Sequence, residues 1–166
     1  PDLPKNLLIK AKKLKAIINV ESNFINNMDY QYCFKKGIHV IATSPVFSKP
    51  VAEIALGMTL SLLRNIHTAH LDFTKGKEKY GLKSNLKASL LSGKKIGLLG
   101  FGDLAKSLYP LLLPFTKDIN VYDPWIPNIK IKKIGFKTIG LNKMFENCEV
   151  IYVLATVTTK NKNFID

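Results

Sequence analysis

Lys95-Ile-Gly-Leu-Leu-Gly100-Phe-Gly-Asp-Leu-Ala105 is the stretch whose reading decides the fold. Its first half is a short apolar run of the kind that fills a strand buried on both faces. Its second half has glycine at positions 100 and 102 and a small residue at position 105. A glycine leaving a strand permits a tight turn, and a second one lets another group approach the backbone closely. A small residue then allows the following helix to pack against the strand it has just left. The pattern predicts strand, turn and helix, the helix covering residues 103–115 with a kink at Pro110.

The first N–H groups of such a helix have no intrahelical acceptor, and together with the helix dipole they favour an anion. A G-x-G-x-x-G/A turn between strand and helix is the mark of dinucleotide binding when an acid follows about 20 residues later. Asp123 answers it, 21 residues beyond Gly102, at the end of the next apolar run, Ile119-Asn-Val-Tyr. The candidate pyrophosphate contacts are therefore Gly100, Gly102 and the backbone N–H groups of Asp103 and Leu104. The candidate ribose contact is Asp123. The Asp103 side chain flanks the helix start and is given no role of its own. A carboxylate at position 123 accepts hydrogen bonds from ribose hydroxyls and repels a 2′-phosphate. No Arg follows in Pro124-Trp125-Ile126-Pro127, so NAD is expected over NADP.

Outward from this centre, strand and helix patterns alternate. Phe136-Lys-Thr-Ile reads as a strand, residues 141–147 as a helix and Val150-Ile-Tyr-Val-Leu as a strand. Alternation of this kind predicts a doubly wound parallel sheet of Rossmann type. Upstream, Ala16-Ile-Ile-Asn-Val and Ile38-His-Val-Ile-Ala read as two strands joined by a helix over residues 30–36, with Asn26-Asn27-Met28-Asp29 as its start and Gly37 as its C-terminal stop. A short β-α-β unit implies a parallel pair. A long helix is expected from near Ser48–Pro50, with Pro50 in its first turn, where a missing N–H costs nothing, and Glu53 beside it. Apolar residues on nearly every face over residues 51–63 predict burial between two packed layers. Residues 75–85 read as an exposed loop.

Composition narrows the function classes. The chain has 166 residues, 46% hydrophobic and 22% charged, as expected of an ordinary globular protein. No stretch reaches the ~18 unbroken apolar residues of a membrane span, and no secretory signal is visible, so a cytoplasmic protein without membrane contact is expected. The net charge of +13 raises the question of nucleic acid. Of 25 basic residues, however, only Arg64 is an Arg, and no lysine run exceeds two, so a lysine-coated surface is expected rather than a nucleic-acid site. Cys33 and Cys148 fit no metal or redox spacing and read as buried thiols. His67 and His70 read as a surface pair, and no metal site is expected.

With these residues in place, the chain resembles the D-2-hydroxyacid dehydrogenase family. The likeness rests on Leu14-Lys-Ala-Ile-Ile, the Asn27-Met-Asp29 helix start, Lys36-Gly-Ile-His-Val and the segment from Val51-Ala-Glu-Ile-Ala-Leu to Arg64. It continues through Leu91-Ser-Gly-Lys-Lys-Ile-Gly-Leu-Leu-Gly-Phe-Gly, Val121-Tyr-Asp-Pro and Cys148-Glu-Val-Ile. The resemblance implies that residues 1–45 are the C-terminal part of a smaller, flavodoxin-like α/β substrate domain, and residues 46–166 a Rossmann-type NAD-binding domain. It implies an oxidoreductase that moves a hydride between NAD and a D-2-hydroxy acid or 2-oxo acid, working as a homodimer at full length. An NAD-sensing, corepressor-like binding protein on the same fold is the alternative.

The resemblance also places further contacts. A loop that touches the coenzyme falls on Ala155 and Thr156, where the family usually has Pro in place of Thr156. A loop that holds the substrate carboxylate falls on Ser22 and Asn23, where Ser22-Asn23-Phe24 replaces the family's Gly-x-Gly. The family's catalytic Arg and its Glu-assisted His lie downstream of the segment matched by residues 158–166. The sequence is accordingly expected to be an incomplete coenzyme domain without a catalytic residue of its own, and inactive alone.

Overall fold

The computed structural model describes residues 2–20 and 26–156. The chain divides into two compact units, residues 1–48 and 49–166.

In the first unit α1 (Lys5–Lys10) is followed by β1 (Ala16–Asn19), α2 (Tyr30–Lys35) and β2 (His39–Ala42). The two strands pair in parallel, Ala16 opposite His39 and Asn19 opposite Ala42, as a short β-α-β unit requires. Asp29 caps α2: its carboxylate accepts the Tyr32 N–H at 2.9 Å, satisfying one of the donors that a helix start leaves open. Gly37 ends the helix at φ +68°, a left-handed conformation that glycine adopts at no steric cost. Leu8, Cys33 and Ile38 form the small core. The helix α1 has no counterpart in the sequence reading.

The helix α3 (Ser44–Leu63) begins earlier than expected. Pro45, not Pro50, occupies its first turn, and Glu53 lies in the third turn instead of the first. Pro50 sits inside the helix, where it removes one backbone hydrogen bond. The expectation of burial between two layers also fails. Ala52 is fully buried in the second unit's core, with Ala55, Leu56, Leu60 and Leu63 packed against that core. Val51, Ile54, Met58 and Leu62 face outward, Leu62 being 75% exposed. By length and composition alone α3 is apolar enough to cross a membrane, yet one stripe of it packs on a sheet core, as in a globular domain. The helix breaks at Asn65, which has φ 55°, and restarts as α4 (Ile66–Thr74). Inside the expected loop over residues 75–85 lies one exposed helical turn, α5 (Leu82–Asn85).

The second unit continues with β3 (Ile96–Leu99), α6 (Asp103–Leu112), β4 (Ile119–Tyr122) and α7 (Asn128–Lys133). It closes with β5 (Lys137–Thr138), α8 (Leu141–Asn147) and β6 (Val150–Val153). The four strands are parallel in the order β5-β4-β3-β6. The chain thus builds outward from β3 through β4 to β5, then returns to the other side of β3. That reversal makes the boundary between β3 and β6 the switch point of a doubly wound sheet, where ligands bind at the carboxyl ends of the strands.

Every residue of β3 is buried, which accounts for its unbroken apolar run. On α6, Ala105, Leu108 and Leu112 are fully buried at i, i+3 and i+7, one stripe of a 3.6-residue helix. Burying each leucine contributes roughly 1.5–3 kcal/mol. On α8, Met144 lies against Gly97 of β3; a Cβ at Gly97 would stand 2.7 Å from the Met144 Cγ. The missing side chain is what lets α8 approach the sheet. Cys33 is buried as expected, but Cys148 is only partly so.

Candidate functional site

The candidate site lies where β3, β4 and β6 end. From β3 the chain turns through Gly100 at φ +100°. A Cβ there would stand 2.7 Å from the Ala155 nitrogen, so the turn and the strand end after β6 meet with no room for a side chain. The Gly100 N–H donates to the Tyr122 carbonyl at 2.7 Å, and the Leu154 N–H donates to the Leu99 carbonyl at 2.8 Å. The turn is tied on both sides to neighbouring strands.

Gly102 differs from Gly100 in kind. It is the N-cap of α6 at φ −84°, a value any residue can adopt, and nothing lies within 4 Å of the place a Cβ would take. Neither backbone conformation nor packing within the chain requires glycine here. The requirement is for open backbone facing outward, which an approaching ligand would use. No side chain caps α6, so the first-turn N–H groups of Asp103 and Leu104 lack an intrahelical acceptor and point out of the helix end. The Asp103 carboxylate, half-buried, belongs to this same first turn.

Asp123, at the end of β4, is already engaged. One carboxylate oxygen, Oδ2, accepts the Phe101 N–H at 2.8 Å. The other, Oδ1, accepts the Trp125 and Ile126 N–H groups, each at 2.8 Å. Phe101, the residue between the two glycines, is 2% exposed and packs edge-on against Phe136 at 4.7 Å between ring centroids. Its role escaped the sequence reading, because an "x" in a motif carries no pattern of its own. The apolar character of that x was the available signal.

The fold thus brings Gly100, Gly102, Asp103, Leu104, Asp123 and Ala155 to one end of the sheet, with exposed Thr156 next in the chain. Ser22 and Asn23 lie outside the described residues. His39 lies on β2 of the first unit, and His67 and His70 are exposed on α4. Burial, then the Asp29 carboxylate, pushes the Cys33 thiol above its ordinary value. Burial likewise raises Cys148, so neither is an activated thiolate. Among the described residues no cluster of His, Cys, Asp or Glu is arranged to hold a metal.

Open backbone over Gly102, helix N–H groups aimed outward and a strand-end carboxylate beside them fit a dinucleotide. Comparison with known proteins decides the family. Residues 56–166 match the model of the D-isomer specific 2-hydroxyacid dehydrogenase NAD binding domain. The chain belongs to that family. NAD is the cofactor that membership assigns.

Among curated D-2-hydroxyacid dehydrogenase relatives, the chain is 30% identical to a hydroxypyruvate reductase of Thermotoga maritima over 96% of its own length and 50% of the reductase. It is 26% identical to a D-3-phosphoglycerate dehydrogenase of Methanocaldococcus jannaschii, covering 97% of this chain and 30% of that one. In three dimensions it is similar to the crystal structure of a phosphoglycerate oxidoreductase from Rhizobium etli, with a TM-score of 0.76 and 41% identity over 91% of this chain and 47% of that one. The chain thus spans about half or less of the length of the curated relatives it matches.

Proposed function

We propose that these residues form the coenzyme-binding part of an NAD-dependent oxidoreductase acting on D-2-hydroxy acids or their 2-oxo counterparts. The observation that carries the reading is Gly102: a glycine that the chain itself does not need, exposed at the switch point beside Asp123. In this reading Gly100 makes the turn and Gly102 leaves room for the pyrophosphate. The N–H groups of Asp103 and Leu104 hold its oxygens, and Asp123 receives a ribose hydroxyl. Ala155 and Thr156 border the coenzyme on the β6 side, and Ser22 and Asn23 are the residues that the family likeness assigns to the substrate carboxylate. Bound NAD supplies the hydride acceptor for C2 of a 2-hydroxy acid. The chain's own residues bind and orient it.

Two free cysteines suit a reducing cytoplasm. The outward stripe of Val51, Ile54, Met58 and Leu62 on α3 suits a homodimer.

Calorimetric titration of the chain with NAD and with NADP tests the coenzyme assignment: binding of NAD and markedly weaker binding of NADP are expected. Equal affinity for both, or none for NAD, would overturn it. Assay of the full-length protein with NADH and a panel of 2-oxo acids tests the activity. Binding without turnover there would favour a sensor over an enzyme.

A further inference from the structure

The end of β4 grips the glycine turn twice. The Tyr122 carbonyl accepts the Gly100 N–H at 2.7 Å, and the Asp123 carboxylate accepts the Phe101 N–H at 2.8 Å. Two successive amides are therefore pinned before the chain reaches Gly102. Since each peptide unit is planar, pinning these two directs the next N–H groups, those that open α6. The second carboxylate oxygen holds the Trp125 and Ile126 amides and so ties the loop after β4 to the same point. One side chain joins two of the loops that border the site.

The carboxylate also has limited capacity. Two oxygens offer about four acceptor directions, and three backbone N–H groups already use three of them. Room remains for roughly one more donor.

We propose that Asp123 is a positioning residue of the pyrophosphate turn: by holding the Phe101 N–H it sets the turn before coenzyme arrives. This rests on the reading of the turn as the pyrophosphate site. The consequence is that replacing Asp123 weakens binding even of a ligand with no ribose.

Asp123→Asn keeps the volume but places an NH2 group, a donor, against one of the two sets of N–H donors. With inorganic pyrophosphate and NAD as separate probes in NMR titrations of the 166-residue chain, both dissociation constants should rise by about tenfold or more, as expected when bonds to a charged acceptor are lost. Weakened NAD with unchanged pyrophosphate would confine Asp123 to the ribose and overturn the proposal. Glu149→Gln is the control, because Glu149 also accepts a backbone N–H, that of Lys95. It should leave pyrophosphate affinity unchanged, and an equal loss there would mean that D123N acts only through stability. Should D123N fail to fold, hydrogen exchange of the Phe101 amide in the ligand-free wild type decides the matter. Strong protection is expected, and exchange at the rate of an open amide would overturn the clamp. A wild type that binds neither probe would instead sink the coenzyme reading, with the Phe101 exchange still deciding whether the carboxylate holds the turn.

Discussion

A Cβ added to Gly100 would stand 2.7 Å from the Ala155 nitrogen and 2.9 Å from its Cα. Two residues 55 positions apart thus meet backbone to backbone where the strand order reverses. The two fingerprint glycines consequently answer to different demands, and substitutions separate them.

Gly100→Ala should damage the fold itself. Alanine at φ +100° is strained, and its methyl group would collide with backbone that cannot swing aside. A loss on the order of 3 kcal/mol is expected from the strained conformation and the clash together, read as a lowered denaturation midpoint in urea with no ligand present. An unchanged midpoint would show that the segment after β6 yields at Ala155.

Gly102→Val should do the reverse. With φ −84° and open space around the added group, the ligand-free stability should stay within about 0.5 kcal/mol of the wild type, as for surface substitutions away from special features. NAD binding should be abolished, because the branched side chain fills the approach to the α6 N–H groups. Retained NAD affinity in calorimetry would remove the turn from the site.

Tyr152→Phe should be neutral or stabilising by up to about 1 kcal/mol. The ring is 8% exposed, and its hydroxyl is buried with no hydrogen-bond partner among the described residues. The Thr59 hydroxyl beside it donates to the Ala55 carbonyl at 2.8 Å. Burial raises the phenol above its ordinary value, and Thr59 pulls it only partly back. The unfolded chain therefore releases this proton first, and stability is lost as pH rises past about 10. Thermal melts at pH 7 and at about pH 10.5 should show the phenylalanine variant gaining on the wild type at the higher pH.

Glu149 gives an acid-side counterpart. The Lys94 ammonium at 2.8 Å, and then the Lys95 N–H, hold its carboxyl below the usual value. A depressed carboxylate contributes stability above its unfolded value of about 4.3 and loses it as pH falls through the folded one. Melting temperatures of wild type and Glu149→Gln should therefore differ at pH 7 and converge below about pH 4. A constant difference across that range would exclude the ionised pair as the cause.

Much of the site was legible because its chemistry is local. Gly100, Gly102 and Ala105 declare a turn that any strand–helix junction with close packing demands, and Asp123 stands at a spacing set by one helix and one strand. The α8 bounds, Leu141–Asn147, were legible for the same reason: Gly140 before it and a compact apolar face within it. The start of α3 was not, because Pro45 and Pro50 carry the same local signal and only packing chooses between them. Ala52 buried in the sheet core, and the Ser48 hydroxyl donating to the Pro45 carbonyl at 3.0 Å, belong to a helix already under way at Ser44.

What the sequence by itself determined is the kind of element at each place and the turn that opens α6, since these follow from backbone freedom and from the period of apolar residues within a few positions. The tertiary structure alone decided the rest. It set β6 beside β3 so that Ala155 closes on Gly100, and it left the outer stripe of α3 exposed where an apolar helix reads as buried. It also turned the Asp123 carboxylate onto the Phe101 amide. Each of these joins residues far apart in the chain, and a periodic pattern has no term for which distant group will supply the neighbouring strand, the covering layer or the missing hydrogen bond.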